Sequence, residues 1–187
     1  MESPRYIVDT NVLMRRGIYE AYDEDYFSLY WSNFDRLVDN GVVISTPSVF
    51  EELEKLDSSI FLWAKNHQHM FKSPPDEKFS IELNNIKKQF PGWYNRKKEA
   101  DLWADRDLVI YAKAYDLVLV TQESPNFSQT KQNRYKIPTI CMRLNAFCRI
   151  GKDFTENISP NDTSFHCINF TELIRRENLH IENNCKK

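Results

Sequence analysis

Short apolar segments alternate with helical patterns along this chain, and that alternation restricts the fold more than any other feature of the sequence. Residues 6–8, 42–45 and 117–121 are rich in β-branched and other apolar residues, a composition typical of buried strands. Amphipathic stretches predict helices at about residues 26–39 and 97–115. We therefore expect a three-layer α/β fold in which helices flank a central, mostly parallel sheet.

Length and turn residues predict how the chain is organised. Its 187 residues suit one domain, so we expect a single unit over residues 1–187. Helical patterns broken by prolines predict a helical excursion from the sheet at about residues 60–95. Residues 137–141 predict another short strand. Residues 148–164 are rich in Asp, Asn, Ser, Thr and Pro, which predicts an irregular insertion before a last helix.

Charge and glycine content exclude several kinds of nucleotide-binding protein. The 25 basic residues are balanced by 27 acidic ones, so the net charge is −2 and any RNA contact must come from local clusters of Lys and Arg. The 4 glycines are far apart in the sequence. Neither the glycine fingerprint of dinucleotide-binding folds nor a P-loop can therefore be present.

The sequence also predicts a compartment. It has no apolar leader at its N-terminus and no stretch near the roughly 18 apolar residues of a membrane helix. We therefore expect a cytoplasmic protein without membrane contact. The cysteines lack zinc-ligand spacing, so we predict reduced thiols at Cys141, Cys148, Cys167 and Cys185.

Acidic residues follow two of the predicted strands. Asp9 directly follows the first strand, and Glu123 comes two residues after the strand at 117–121. Ligand sites in parallel sheets form at the carboxyl ends of strands, so both acids are candidates for chemistry. Taken alone, Asp9 is explained more simply as the N-cap of the helix that follows it.

Two predicted helices contribute further acids. In the helix that begins near Pro47, Glu52 lies beside the apolar stripe, whereas a capping box with Ser48 explains Glu51. In the later helix, Asp105 lies near the buried face. Interaction with the helix N-terminal dipole is the simpler explanation for two weaker candidates in that helix, Asp101 and Asp107.

Four carboxylates gathered at one sheet edge would repel one another strongly unless cations neutralised them. The set consists of Asp9, Glu52, Asp105 and Glu123. Carboxylate oxygens are ligands that Mg²⁺ and Mn²⁺ prefer, and such ions can activate water and stabilise the leaving oxygen of a phosphodiester. The residues therefore predict a nuclease that depends on Mg²⁺ or Mn²⁺.

Blocks of sequence around these acids resemble the PIN-domain ribonucleases in order and spacing. They are residues 7–11, 49–53, 104–105 with Ala112, and 120–123. The resemblance implies a PIN-like fold, hydrolysis of RNA and a metal site made by the four acids. It also implies that neighbouring polar residues orient the acids, although capping and turn chemistry explain them equally well. These residues are Thr10, Asn11 and Thr121.

A finer resemblance connects the chain with a toxin-like subfamily of bacterial PIN proteins. It rests on residues 63–65, 104–105, 136–138 and 167–169. The chain departs from that pattern at Arg106, where the subfamily often has Pro. The resemblance implies the toxin of a type II toxin–antitoxin pair, held inactive by a cognate antitoxin protein.

Two other functions remain open. The chain could be an RNA-processing nuclease that is not a toxin, or a PIN-like fold kept as a non-catalytic binding or scaffold module. A phosphatase of the haloacid-dehalogenase type is disfavoured, because it needs a second Asp two residues after Asp9, where this chain has Asn11.

Possible contacts with RNA and with a second copy follow from local composition. A basic loop after Glu123 should emerge at the same sheet edge as the acids, which makes it the favoured RNA contact over a second cluster at residues 96–98. The aromatic segment at about residues 22–31 is more simply a packing stripe, but it could form a homodimer surface. The basic loop residues are Lys131, Arg134 and Lys136.

Overall fold

The computed structural model describes residues 3–16, 23–56, 59–95, 104–126, 128–150, 153–154 and 158–182. The strands are β1 (Tyr6–Val8), β2 (Val43–Ile44), β3 (Val118–Val120), β4 (Phe147–Ile150), β5 (Asp153–Phe154) and β6 (His166–Ile168). The helices are α1 (Thr10–Leu13), α2 (Ser28–Asp39), α3 (Pro47–Glu54), α4 (Ser59–Asn66), α5 (Asp76–Gln89), α6 (Pro91–Tyr94), α7 (Ala104–Ala114), α8 (Ile137–Arg143) and α9 (Phe170–Glu177).

The strands form one sheet in the order β2-β1-β3-β6-β4-β5. Neighbouring strands are parallel except for β4 and β5 at the edge, which are antiparallel. The predicted α/β fold with a mostly parallel sheet is therefore confirmed. Val8 pairs with Val120, and Val120 pairs with Ile168. These three residues end parallel strands, so the residues that directly follow them lie side by side at the carboxyl-terminal edge of the sheet.

Helices cover the sheet, which explains why its strands are apolar throughout. The helix α7 contacts β1 and β3 and packs against α3, α5 and α8. The helix α2 contacts β2, and its Trp31 stacks on Phe170 of α9 with ring centroids 4.9 Å apart. Strand residues such as Ile7, Val8 and Leu119 are completely buried between these layers.

The aromatic segment before and within α2 is divided between core and surface. Trp31 is completely buried, so the packing interpretation is confirmed for this residue. Phe27 and Tyr30 are half-buried, with ring centroids 5.3 Å apart. Tyr26 is 84% exposed and lies outside the packing stripe. Tyr22 lies outside the described residues.

The strand predicted at residues 137–141 is wrong, because this segment begins the helix α8. Pro138 occupies the first turn of the helix, where a missing N–H costs nothing. The N–H of Ile137 donates to Oε2 of Glu123 at 2.6 Å and so gives the helix a fixed start. A short apolar run is compatible with a buried helix as well as with a buried strand.

The segment expected to be irregular, residues 148–164, contributes to the edge of the sheet. Most of β4 falls in this segment, and it pairs with β5 at Arg149↔Phe154 and Ile150↔Asp153. Only β5 is an edge strand, and a short edge strand needs little apolar sequence, so the polar composition around it concealed it. The strand β4 is mostly apolar and buried and lies between β6 and β5. The described residues from 158 to 164 lie in turns and bends before β6.

The region expected as a helical excursion, about residues 60–95, contains α4, α5 and α6. The helix α5 packs against α7, which attaches this region to a helix layer of the sheet. Among the helices of the described ranges, none has both the length and the apolar character needed to span a membrane.

Candidate active site

Asp9 lies at the carboxyl end of β1 and is the most buried of the predicted acids. The residue is 4% exposed, and its Oδ2 accepts a hydrogen bond of 2.8 Å from Oγ1 of Thr121, which follows β3. Asp9 occupies the N-cap position of α1, but its side chain makes no capping hydrogen bond. The capping explanation is therefore wrong, and the carboxylate instead contacts the end of the neighbouring strand.

The surroundings of Asp9 disfavour its negative charge. Burial raises the pKa of its carboxyl well above the ordinary range. The charges of Asp105, Glu123 and Glu52 raise this pKa further, whereas the hydrogen bond from Thr121 opposes the shift. The fold thus places the other three predicted acids close enough for their charges to act on Asp9.

Glu52 is held between two helices that neighbour its own. Its Oε2 accepts a hydrogen bond of 2.5 Å from Oγ1 of Thr10 in α1, and its Oε1 accepts one of 3.3 Å from the N–H of Ala104 in α7. The adjacent Glu51 is exposed. Of these two acids in α3, Glu52 therefore faces the neighbouring helices and Glu51 faces solvent, as the apolar stripe predicted.

Glu123 is positioned by the start of α8. Besides accepting the hydrogen bond from Ile137, it donates its own backbone N–H to Oγ1 of Thr121 at 3.1 Å. Its carboxylate therefore caps a helix and also contributes charge near Asp9. The sequence did not reveal the capping role, because the helix itself was predicted as a strand.

Thr121 connects the two strand ends through its hydroxyl group. Oγ1 donates to Asp9 and accepts from Nδ2 of Asn11 at 3.3 Å and from the N–H of Glu123. Oδ1 of Asn11 in turn accepts the N–H of Gln122 at 2.7 Å. The hydroxyl is completely buried, so these contacts fix the positions of both strand ends.

The remaining acids of α7 differ in their contacts. Asp105, in the first turn, is half-buried and its charge acts on Asp9. Asp107 accepts a hydrogen bond from Oγ of Ser48, so it joins α7 to α3. This contact gives Asp107 a structural role. Asp101 lies outside the described residues.

The predicted capping box between Ser48 and Glu51 is wrong. Ser48 donates to Asp107 in another helix, and the N-cap position of α3 is occupied by Thr46. Thr46 makes no side-chain capping hydrogen bond. Pro47 in the first turn has no N–H to satisfy and starts the helix without this help.

The four carboxylates suit a hard divalent cation by their chemistry. Within the described ranges, the side chains of His, Cys, Asp and Glu form no group of three or more that could hold a metal ion as they stand. Mg²⁺ and Mn²⁺ take oxygen ligands, and a cation would offset the repulsion that raises the pKa of Asp9. The donor set is therefore compatible with these metals, and its members are Asp9, Glu52, Asp105 and Glu123.

The basic loop predicted to contact RNA lies between Glu123 and α8, and Lys131, Arg134 and Lys136 are exposed in it. Oε1 of Gln132 accepts a hydrogen bond of 2.9 Å from the N–H of Gly92 in α6. A Cβ atom at Gly92 would lie 3.0 Å from Gln132, so the absence of a side chain permits this close approach. The second basic cluster, residues 96–98, lies outside the described residues.

Three predicted free thiols are buried in the core. Cys141, Cys148 and Cys167 are free and buried, which confirms the prediction for them. Burial raises the pKa of the Cys141 and Cys167 thiols, so they stay protonated. These residues are therefore packing residues rather than candidate nucleophiles. Cys185 lies outside the described residues.

Sequence reasoning missed a buried acid at the same sheet edge, Glu172 of α9. It is 5% exposed and lies 3.4 Å from Arg149, 2.7 Å from Arg175 and 2.9 Å from Arg176. Burial alone would raise the pKa of Glu172, but the two hydrogen-bonded arginines and the charge of Arg149 lower it below its ordinary value. Helical spacing could have revealed the pairing with Arg175 and Arg176, whereas Arg149 comes from a strand.

A matched protein family covers the whole candidate site. A family model described as "Domain of unknown function (DUF4411)" matches residues 6–154, which include the four acids and the basic loop. Among solved structures, the chain is similar to "Crystal structure of PAE2754 from Pyrobaculum aerophilum", at 15% identity and a TM-score of 0.35. That similarity covers 77% of this chain and 98% of the other. No curated protein matches the sequence.

Proposed function

The chain belongs to the DUF4411 family, whose description states no activity, and from its site we propose that it is a metal-dependent endoribonuclease of the PIN type. It would hydrolyse phosphodiester bonds of RNA with Mg²⁺ or Mn²⁺. The residues proposed to hold the metal are Asp9, Glu52, Asp105 and Glu123.

One observation carries this proposal, namely that the buried Asp9 carboxyl has acids as its charged neighbours. Burial and three nearby carboxylates raise its pKa, an arrangement that costs folding free energy when it is not neutralised. Buried acids with a purely structural role are normally paired with basic groups. Strongly perturbed acids at strand ends are typical of functional sites, and a bound cation would account for this cluster.

When bound, Mg²⁺ or Mn²⁺ would supply the positive charge that activates the attacking water and stabilises the leaving oxygen. The residues of the chain orient the acids in advance. Thr121 holds one oxygen of Asp9, and Thr10 holds one oxygen of Glu52. The start of α8 holds one oxygen of Glu123. Because these carboxylates are already fixed, little side-chain freedom is lost when a ligand binds.

RNA is proposed as the substrate from the family resemblance and from the basic loop. A protein with a net charge of −2 needs local positive charge to hold a polyanion, because phosphate contacts supply much of nucleic-acid affinity. The exposed residues Lys131, Arg134 and Lys136 provide such charge in the loop that begins at Glu123.

Cleavage of a labelled single-stranded RNA tests the proposal. We expect hydrolysis with Mg²⁺ or Mn²⁺ and none with EDTA. Glu52→Gln should reduce the rate by roughly 100-fold or more, because it removes a proposed ligand. Glu51→Gln is the matched control, since this exposed neighbour on the same helix should keep full activity. Wild-type protein that binds RNA but cuts none with either metal would favour a non-catalytic binding module.

A toxin role is proposed from the resemblance alone, and growth of a bacterial host tests it. Expression of the wild-type protein should slow growth, and co-expression of the product of the neighbouring gene should restore it. Asp9→Asn protein should be harmless at the same expression level. Harmless wild-type protein that cleaves RNA when purified would favour an RNA-processing enzyme.

A further inference from the structure

A cationic cavity of about 450 Å³ lies at one end of the sheet. Its volume falls in the range of small-ligand sites. It is lined by Arg149, Asn169, Thr171, Glu172, Arg175 and His180, together with Ile174.

The cavity opens at the same sheet edge as the acidic site. Asn169 directly follows β6, and the N–H of Thr121 donates to the carbonyl of Ile168 at 2.9 Å. The backbone of Asn169 therefore lies next to Thr121, the residue whose hydroxyl donates a hydrogen bond to Asp9. Since β6 separates β4 from β3, Arg149 and the end of β3 are two strand spacings apart, roughly 10 Å.

Gln122 also links the acidic site to the cavity directly. Oε1 of Gln122 accepts the N–H of Phe170 at 3.3 Å, at the start of α9. The backbone N–H of the same Gln122 donates to Oδ1 of Asn11 beside the acids. One residue thus contacts both the acidic network and the helix that forms the cavity.

The cavity has an excess of positive charge. Two arginines, Arg149 and Arg175, line the cavity with a single carboxylate, that of Glu172. Arg176 also contacts this carboxylate but is not one of the residues that line the cavity. These four side chains together therefore carry a net positive charge. Their charge contrasts with that of the four acids, of which Asp9 and Glu123 follow the neighbouring strands β1 and β3.

The arginines can still reach a ligand while they contact Glu172. The side chain of Arg175 is 62% exposed and that of Arg149 is 35% exposed. A guanidinium group carries five N–H donors, and its planar fork matches the oxygens of a phosphate group. Arg175 donates to Glu172 through Nε and Nη2, so Glu172 orders a guanidinium group that carries more donors than these contacts use.

We propose that this cavity binds a phosphate group of the nucleic-acid strand that is cut at the acidic site. The inference rests on the proposed function and adds a subsite to it. The separation of roughly 10 Å assigns the cavity to a phosphate further along the strand rather than to the scissile one. Its positive charge would offset the repulsion between the strand and the four acids.

Binding of a fluorescent single-stranded RNA, measured in EDTA at several salt concentrations, tests this subsite. Arg175→Ala should weaken binding roughly fivefold and reduce the salt slope by about 0.7, the value for one lost contact to a single strand. Arg175→Lys should keep the slope, since it keeps the charge. Arg143→Ala is the matched control, because this exposed arginine ends α8 and does not line the cavity.

A second measurement distinguishes a phosphate group of an RNA strand from a free phosphate compound as the ligand of the cavity. Inorganic phosphate should raise the melting temperature of wild-type protein more than that of Arg175→Ala protein. If it does so while RNA affinity and slope are unchanged in Arg175→Ala, the ligand is a free phosphate compound and the strand assignment is overturned. Equal responses of both proteins to phosphate and to RNA would overturn the subsite altogether.

The subsite and the proposed activity can fail separately. A reduced salt slope in Arg175→Ala supports the subsite even if wild-type protein cuts no RNA with either metal, in which case only the endonuclease proposal fails. Cleavage by wild-type protein with an unchanged slope and affinity in Arg175→Ala overturns the subsite and leaves the endonuclease proposal standing. Melting temperatures measured without ligand test whether each variant is folded.

Discussion

Oγ1 of Thr121 donates a hydrogen bond of 2.8 Å to Oδ2 of Asp9, and this contact joins the carboxyl ends of β1 and β3 inside the protein. Both residues are buried, so the hydroxyl replaces water as the donor to an acid in an unfavourable electrostatic environment. The parallel register Val8↔Val120 places the two residues side by side.

Loss of this hydroxyl should reduce both stability and activity. Thr121→Val keeps the shape of the side chain but removes the donor to Asp9 and the acceptor for Asn11, which should cost about 1–3 kcal/mol in the free energy of unfolding. Urea denaturation and the RNA cleavage rate measure the two effects. Thr139→Val, at another buried threonine, should lower stability without a comparable loss of rate.

Asp9 should destabilise the metal-free protein at neutral pH. Its pKa is higher in the folded protein than in the unfolded chain, so its contribution to stability falls as pH rises from about 4 to the folded value. Asp9→Asn removes this titration. With EDTA, the variant should need more urea to unfold than wild-type protein at pH 7. This difference in urea concentration should disappear near pH 3. A less stable variant at pH 7 would contradict the repulsion described for Asp9.

Divalent cations should stabilise the folded protein through the acids. Binding to the folded state alone raises stability by about 2.7 kcal/mol at a metal concentration of 100 times Kd, so the melting temperature should rise with Mg²⁺ or Mn²⁺ concentration. The rise should disappear in the double variant Glu52→Gln/Asp105→Asn. A monovalent salt of equal ionic strength is the control, and an equal rise in the double variant would indicate general ion effects.

The basic loop should contribute to RNA affinity more than to turnover. Lys131→Ala/Arg134→Ala removes two exposed charges, and each lost phosphate contact should reduce the salt slope by about 0.7. The cleavage rate at saturating RNA should change much less. Affinity measured against salt tests this expectation, and an unchanged slope with unchanged affinity would remove the loop from the RNA path.

Glu172 should stabilise the protein above acidic pH. Its pKa is lower in the folded protein than its ordinary value of about 4.3, so its contribution is present above that value and is lost as pH falls through the folded pKa. Glu172→Gln should lower the free energy of unfolding at pH 7 by about 2–3 kcal/mol, because it weakens charge-assisted hydrogen bonds. Urea denaturation at pH 7 and pH 3 should show this difference shrinking in acid. The exposed Glu51→Gln should show no such difference.

Several contacts of the site could be located from sequence patterns and others could not. The apolar stripe of α3 distinguished Glu52 from Glu51, because helical periodicity is a local property. The contact of Ser48 with Asp107 was hidden, since their helices are distant in sequence and a local capping partner was available. The pairing of Arg149 with Glu172 was hidden because it joins a strand to a helix, and no local sequence pattern connects the two residues.

The sequence by itself determined the alternation of strands and helices and the acids that follow the strands, because both depend on residues close together in the chain. Parallel strands place their carboxyl ends at one edge, so Asp9 and Glu123 could be assigned to the same place. Only the tertiary structure decided that residues 137–141 form a helix rather than a strand. That choice depends on the carboxylate of Glu123, which caps Ile137 across 14 residues, and on burial by neighbouring helices, neither of which a short apolar run can specify.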